Sequence, residues 1–238
     1  MHETMRVREK PRMSVAKMGE YGDTSAAAER ERIIRDQKYQ SAFVVTRYHD
    51  TDDVVRRALL SGEDVRAHCN DGALKVAAKA TGTDWSMENR ELNLQAIEKF
   101  TKLYSDLGIS KAKALAISNT TLSERLEGVR VTSRPLVLLR EETRAGRRMG
   151  ALLVFTRKGK RLSDRAGTEI AMLMARAMTV SGLIAADQLE RRLCIVVDVF
   201  HDLIYTAPAS TKMRMDNVRS SCREINARWP LIEPLRAA

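Results

Sequence analysis

Val129-Arg-Val-Thr-Ser-Arg-Pro-Leu-Val-Leu-Leu139 alternates apolar and polar residues at its start and then runs apolar. That is the pattern of a strand entering a sheet. Pro135 has no N–H to give a ladder, so it places this strand at an edge or at a bulge. Beyond a charged turn, Arg140–Arg148, the stretch Met149-Gly-Ala-Leu-Leu-Val-Phe155 reads as the antiparallel partner. Upstream, Ala114–Ser118 is a further short apolar run. Downstream, Ser163 caps a long helix with Ala166, Ile170, Leu173, Ala177 and Ile184 along one face. Cys194-Ile-Val-Val-Asp-Val-Phe200 is nearly all apolar and so reads as a central strand covered on both faces. A His201-Asp202 turn leads to a strand Leu203–Thr206, which Pro208 ends. A last helix carries Met215, Val218, Cys222, Ile225 and Trp229 before Pro230.

The other half has a different period. Thr24 is placed to cap a helix carrying Ile33 and Ile34. Asp50-Thr-Asp-Asp53 supplies caps and first-turn acids for a helix through Val54, Val55, Ala58 and Leu59, stopped near Gly62. A helix over about 64–80 carries Val65, Cys69, Leu74 and Ala77, and Gly82 ends it. After Ser86, Leu92, Ala96, Phe100, Leu103 and Leu107 recur at helical spacing until Gly108. The expected fold class is therefore α+β: a helical region, 1–110, followed by an α/β core, 111–238, whose mixed sheet is flanked by helices. The two pack together as one unit.

An apolar fraction of 44% is ample for a buried core. No stretch approaches the roughly 18 apolar residues of a membrane span, and Met1 to Arg12 has no apolar run of the kind a secretory signal needs. Cys69, Cys194 and Cys222 are odd in number and far apart, which fits small core residues in a reducing cytoplasm.

Charge is unevenly spread. Lys+Arg against Asp+Glu runs 12 to 10 for residues 1–60, 8 to 8 for 61–120, 13 to 6 for 121–180 and 8 to 7 thereafter. Seven of the ten excess positive charges thus fall in the quarter where strand patterning begins, which points to an anion, nucleic acid first. Two basic segments stand out: Arg140, Arg144, Arg147 and Arg148 in the hairpin turn, and Arg157, Lys158, Lys160 and Arg161 before the long helix. Guanidinium forks suit phosphate oxygens, and Gly159 lets a backbone amide approach one. Lys212, Arg219 and Arg223 add charge to the last helix away from its apolar stripe. Only 5% of residues are aromatic, too few for a platform on which single strands stack.

Catalytic signatures are missing. Gly159-Lys160 is followed by Arg161 and has Val154 where a Walker A loop needs glycine. There is no G-x-G-x-x-G after a strand, no G-x-S-x-G and no H-E-x-x-H. Asp198 with His201 and Asp202 is the best carboxylate–imidazole cluster. An acid in a buried strand must be paired, and Asp198 reads either as part of a site or as a cap on a backbone group beside a hairpin turn.

The order of helix, three-stranded meander, crossover helix and further strand over about residues 86–206 resembles the restriction-endonuclease-like nucleases, the PD-(D/E)XK group. That resemblance implies a Mg²⁺ site with a carboxylate on the second core strand and an acid, a spacer and a lysine on the third. Arg134-Pro135 is followed by Leu136, and Gly150–Phe155 holds neither acid nor lysine, so the core is a degenerate one. Met18-Gly-Glu-Tyr21, Arg134-Pro135, Gly150-Ala-Leu152, Tyr205-Thr-Ala-Pro208 and Ala227-Arg-Trp-Pro230 also resemble a group of bacterial proteins of similar length that carries no assigned activity. The leading expectation is a nucleic-acid-binding protein of bacterial or mobile-element origin that contacts phosphates through Arg and Lys, with no cofactor. One alternative is a divergent Mg²⁺-dependent nuclease using Asp198 with Glu141 or Glu142. The other is a protein-interaction module whose helical half docks a partner.

Overall fold

The computed structural model describes residues 5–41, 47–117 and 121–234, and its architecture is mixed α and β. The central sheet has five strands. In spatial order they are Leu203–Thr206 (β10), Leu189–Asp198 (β9), Gly146–Phe155 (β8), Val137–Thr143 (β7) and Lys113–Leu115 (β4). Every neighbouring pair is antiparallel except β8 and β9, which run parallel across the crossover helix Asp164–Val180 (α6). Side chains alternate between the two faces of these strands. Leu138, Ala151, Cys194 and Val196 enter one core, and Val137, Leu139, Leu152, Ile195 and Val197 enter the other.

Three helices cover the second face: His49–Ser61 (α3), Val65–Ala77 (α4) and Asp84–Leu103 (α5). The α5 stripe of Leu92, Ala96, Phe100 and Leu103 is buried, and Leu107 beyond the helix is buried with it. Its start lies earlier than Ser86, because Thr83 and Ser86 form a reciprocal capping box. On α4 the inward residues are Val65, Cys69 and Val76, whereas Leu74 is 70% exposed. A 3.6-residue turn carries the face from 69 to 72 and 76, and so leaves 74 outside.

The first face packs against α6, Val15–Asp23 (α1), Ala27–Lys38 (α2) and Lys212–Arg228 (α7). Ser163 caps α6 as expected, and the helix stops at Val180. It is buried nearly all round, because α1 crosses the side turned away from the sheet. All five apolar positions expected on the last helix are buried. Each buried aliphatic side chain of this kind stabilises the fold by roughly 1.5–3 kcal/mol before conformational entropy is subtracted. Thr24 closes α1 instead of capping α2, which starts after Ala26 with no side-chain cap.

Residues 129–139 are two strands in different sheets. Val129–Ser133 (β6) is the middle strand of a second, three-stranded sheet, between Arg12–Ser14 (β2) and Leu122–Leu126 (β5). The chain leaves this sheet at Arg134-Pro135 and enters the central one at Val137. Pro135 therefore sits between sheets rather than at an edge or bulge. It lacks the N–H a ladder would use and holds the preceding residue extended. The β5–β6 hairpin turns through Glu127 (φ +46°) and Gly128 (φ +84°), the left-handed pair a two-residue turn requires. A two-stranded ribbon joins Met5–Val7 (β1) to Tyr39–Ser41 (β3). The residues of 1–110 thus pack on both faces of the central sheet and supply a strand to the smaller one. Ser118, the end of the expected 114–118 strand, lies outside the described residues.

The β7–β8 turn is also tighter than the sequence suggests. The strands pair from Val137↔Leu152 to Thr143↔Gly146, leaving only Arg144 and Ala145 in the turn. Arg140, Arg147 and Arg148 are strand residues. At the other side of β8 the register with β9 shifts between Met149 and Ala151. A Cβ on Gly150 there would overlap the Leu193 backbone, so the close approach of the two strands requires glycine.

Candidate nucleic-acid interface

Asp198 ends β9 and is fully buried. Its Oδ2 accepts the backbone N–H of Leu162 at 3.0 Å, and its Oδ1 lies 2.9 Å from His201 Nδ1. The Tyr205 hydroxyl donates to the Leu162 carbonyl at 2.6 Å. Burial, with the Asp198 charge adding, pushes that phenol up to about 12. Both carboxylate oxygens are thus occupied, Oδ2 in fastening the loop before α6 and Oδ1 in the turn that follows β9. Asp202 occupies a left-handed turn position (φ +55°) and pairs with Lys99 of α5 at 3.0 Å.

Glu141 is nearly buried and paired with Arg192 of β9, while Glu142 lies between Arg140 (3.3 Å) and Arg147 (3.4 Å). Asp198 is opposite Phe155 on β8, whereas Glu141 is opposite Arg148. Seven residues of strand separate those positions, roughly 20 Å. The structure does not bring Asp198 and Glu141 or Glu142 together. Among the described residues no group of three or more His, Cys, Asp and Glu is placed to hold a metal. All three cysteines are buried and unpaired.

The two basic segments lie at opposite ends of β8, and much of their charge is already engaged. In the hairpin Arg148 donates to the Asp187 carbonyl at 2.8 Å, and Arg144 is exposed at the turn. In the loop between β8 and α6, Arg157 pairs with Glu20 of α1, a residue only 2% exposed. Lys160 lies 3.7 Å from Glu20 and 3.5 Å from Glu29, and Lys17 reaches Glu20 at 3.0 Å. The Glu29 carboxyl is held down to about 2, by the Arg32 hydrogen bond first and with help from Lys160. Lys158 donates to Gln95 at 3.1 Å, and Arg161 is exposed with no ion pair among the described residues. On α7, Lys212 is exposed, Arg219 faces Asp216 at 3.7 Å and Arg223 faces Glu127 at 3.7 Å. The last two pairs line an open cleft of about 560 Å³ with Glu124, Arg125 and Arg176, in which charges of both signs mix.

A different set of cations has no such ion pairs among the described residues. In the small sheet Arg12 is opposite Arg130, and Arg130 is opposite Arg125, one arginine from each strand on a single cross-strand rung. Val129 and Val131 point into the core, so Arg130 and its two neighbours project from the outer face. Arg6, Arg8 and Arg134 join them at one end. Arg8 and Arg12 are both pushed below the ordinary arginine range, first by partial burial, which costs the charged form its solvation, and then by neighbouring arginines. Those neighbours are Arg12, Arg6 and Arg134 for the first, and Arg130, Arg134 and Arg6 for the second. The hydrogen bonds found here go to neutral groups: Arg8 to Gln40 (2.6 Å) and the Gln37 carbonyl (3.3 Å), Arg134 to Thr121 (2.8 Å). Among the described residues, none of these six guanidiniums has a carboxylate within 4.0 Å.

Sequence reasoning missed this surface. Its available signal was the even spacing of Arg6 with Arg8 and of Arg130 with Arg134, each on one side of an extended segment. What assembles it is the parallel pairing of β2 with β6, strands more than a hundred residues apart. Guanidiniums crowded on one face without counter-ions are arranged to receive an anion with several charges. No described helix is long and apolar enough to cross a membrane. No family model matches the chain, and no curated protein matches it either.

Proposed function

We propose that the protein binds nucleic acid through its phosphates, with the arginine surface of the small sheet as the principal contact. The observation that carries this is the rung Arg12–Arg130–Arg125, joined by Arg6, Arg8 and Arg134, with no carboxylate within 4.0 Å of these guanidiniums among the described residues. Arg144, Arg161 and Lys212 are peripheral contacts, and the remaining predicted cations act mainly within the fold. The central sheet is consistent with a nuclease-like scaffold: α5, then β4, β7 and β8, then α6 and β9. Its third strand carries Leu152, Leu153 and Val154 where that chemistry needs an acid and a lysine, which favours binding without metal-assisted cleavage. Three buried, unpaired cysteines fit a cytoplasmic setting.

The test is fluorescence anisotropy of a labelled oligonucleotide titrated with the full chain over a salt series. Four to six phosphate contacts give a log–log slope of about −3 to −5. Affinity that hardly changes between low and moderate salt, or no binding at low salt, contradicts the proposal.

A further inference from the structure

We infer that the occupant of the arginine rung is a double helix, held by its backbone without regard to base sequence; this rests on the nucleic-acid reading above. Sheet surfaces that bind single strands place aromatic rings at outward positions, where unpaired bases stack. Here the exposed rung is Arg12, Arg130 and Arg125, and the next on the same side, Ser14, Thr132 and Ser123, is largely covered, with Thr132 buried. Neither carries a ring. Trp85, the exposed aromatic side chain of α5, belongs to the helices on the opposite face of the central sheet.

The second rung also offers little to a base edge. The Ser14 hydroxyl accepts the Lys17 N–H at 3.2 Å as the cap of α1, and the Thr132 hydroxyl donates to the Met13 carbonyl at 3.2 Å. Neither rung contains Asn or Gln, the side chains that read adenine by paired hydrogen bonds. Guanidiniums are left as the contacting groups; on phosphate they fix position without carrying sequence information, and guanine, whose O6 and N7 accept a guanidinium fork, is the one base they could read.

Geometry favours a rigid partner. Neighbouring strands are about 4.8 Å apart, so the outer two arginines of the rung start about 10 Å apart. A duplex holds its phosphates in a fixed array along grooves about 6 Å and 12 Å wide, within reach of side chains so spaced. A single strand would have to be ordered into such an array, with no stacking to offset the entropy lost.

The experiment uses the full chain with labelled duplex DNA, duplex RNA and their separate strands, each in two unrelated sequences, across a salt series. Either duplex is expected to bind about tenfold or more tightly than its strands, with the two sequences within about threefold of each other. Arg125→Ala should weaken duplex binding and reduce the salt slope by about one. A single strand that binds as tightly as the duplex, or a sequence preference above about tenfold, overturns the duplex inference. If Arg125→Ala still weakens binding in that case, the phosphate-contact reading survives. Absence of salt-sensitive binding to any of these probes overturns both.

Discussion

The loop between β8 and α6 and the outer face of the small sheet are both dense in cations, and they treat them oppositely. In the loop, Glu20 sits almost fully buried on α1 and draws in Lys17, Arg157 and Lys160, with Glu29 taking the other side of Lys160. On the sheet, Arg12, Arg130 and Arg125 stand side by side, none within 4.0 Å of a carboxylate among the described residues, and the charges that act on Arg12 are those of further arginines. The loop's ion pairs hold an element in place. The sheet's arrangement carries unrelieved like-charge repulsion, which disfavours the compact state until an anion arrives. Positive charge counted along a sequence is thus a poor measure of positive charge available to a ligand. The fold decides, by supplying or withholding a counter-ion.

That contrast can be broken most forcefully at Asp198, the other anchor of the loop. Its two oxygens serve the Leu162 N–H and His201. Asp198→Ala should cost about 3 kcal/mol in urea unfolding, because a buried N–H is left without a partner. A cost below about 1 kcal/mol would show that the loop is held some other way.

Glu169 sharpens the contrast from the opposite side, as a buried acid on α6 for which no ion pair is found among the described residues. Its carboxylate oxygens lie 3.2 and 3.4 Å from where a Cβ on Gly22 would sit. Burial pushes its carboxyl up to about 7, opposed by Arg165 and Arg214 and reinforced by Asp23. The folded state therefore binds a proton more tightly than the unfolded chain. The stability this contributes is full below about 4.5 and is lost as pH rises through about 7. Glu169→Gln should remove a decline on the order of 1–3 kcal/mol between those limits. Equal pH profiles for the two proteins would contradict this.

Glu20→Gln removes the charge that three cations share, and about 1–2 kcal/mol of stability with it. Nucleic-acid affinity should not fall, since Arg157 and Lys160 are released rather than lost. A clear loss of affinity would mean that Glu20 organises the binding surface itself. Smallest of all is the stability effect of Arg130→Ala. We expect it to lie within about 0.5 kcal/mol of the parent, on the stabilising side, as repulsion on the rung is relieved.

How much of this was legible in the sequence follows from the range of the contacts. The apolar stripes of α5, α6 and α7 and the strand β10 are local patterns, and the structure reproduces them nearly residue for residue. The capping role of Asp198 beside a hairpin turn was also readable as one of its two meanings. β2 is three residues long and pairs in parallel with a strand more than a hundred residues away, so no periodicity announces it. The division of 129–139 turns on Arg134-Pro135, which marks a change of sheet as readily as an edge. For the same reason the basic turns were found by composition, whereas the arginine rung needed the pairing of β2, β6 and β5.

The central claim is tested most directly by one truncation from each region, Arg130→Ala and Arg157→Ala, compared by duplex-binding anisotropy over a common salt series. The account predicts that Arg130→Ala weakens binding and lowers the log–log slope by about one, while Arg157→Ala leaves both unchanged. Equal losses from the two variants, or a loss from Arg157→Ala alone, would contradict it.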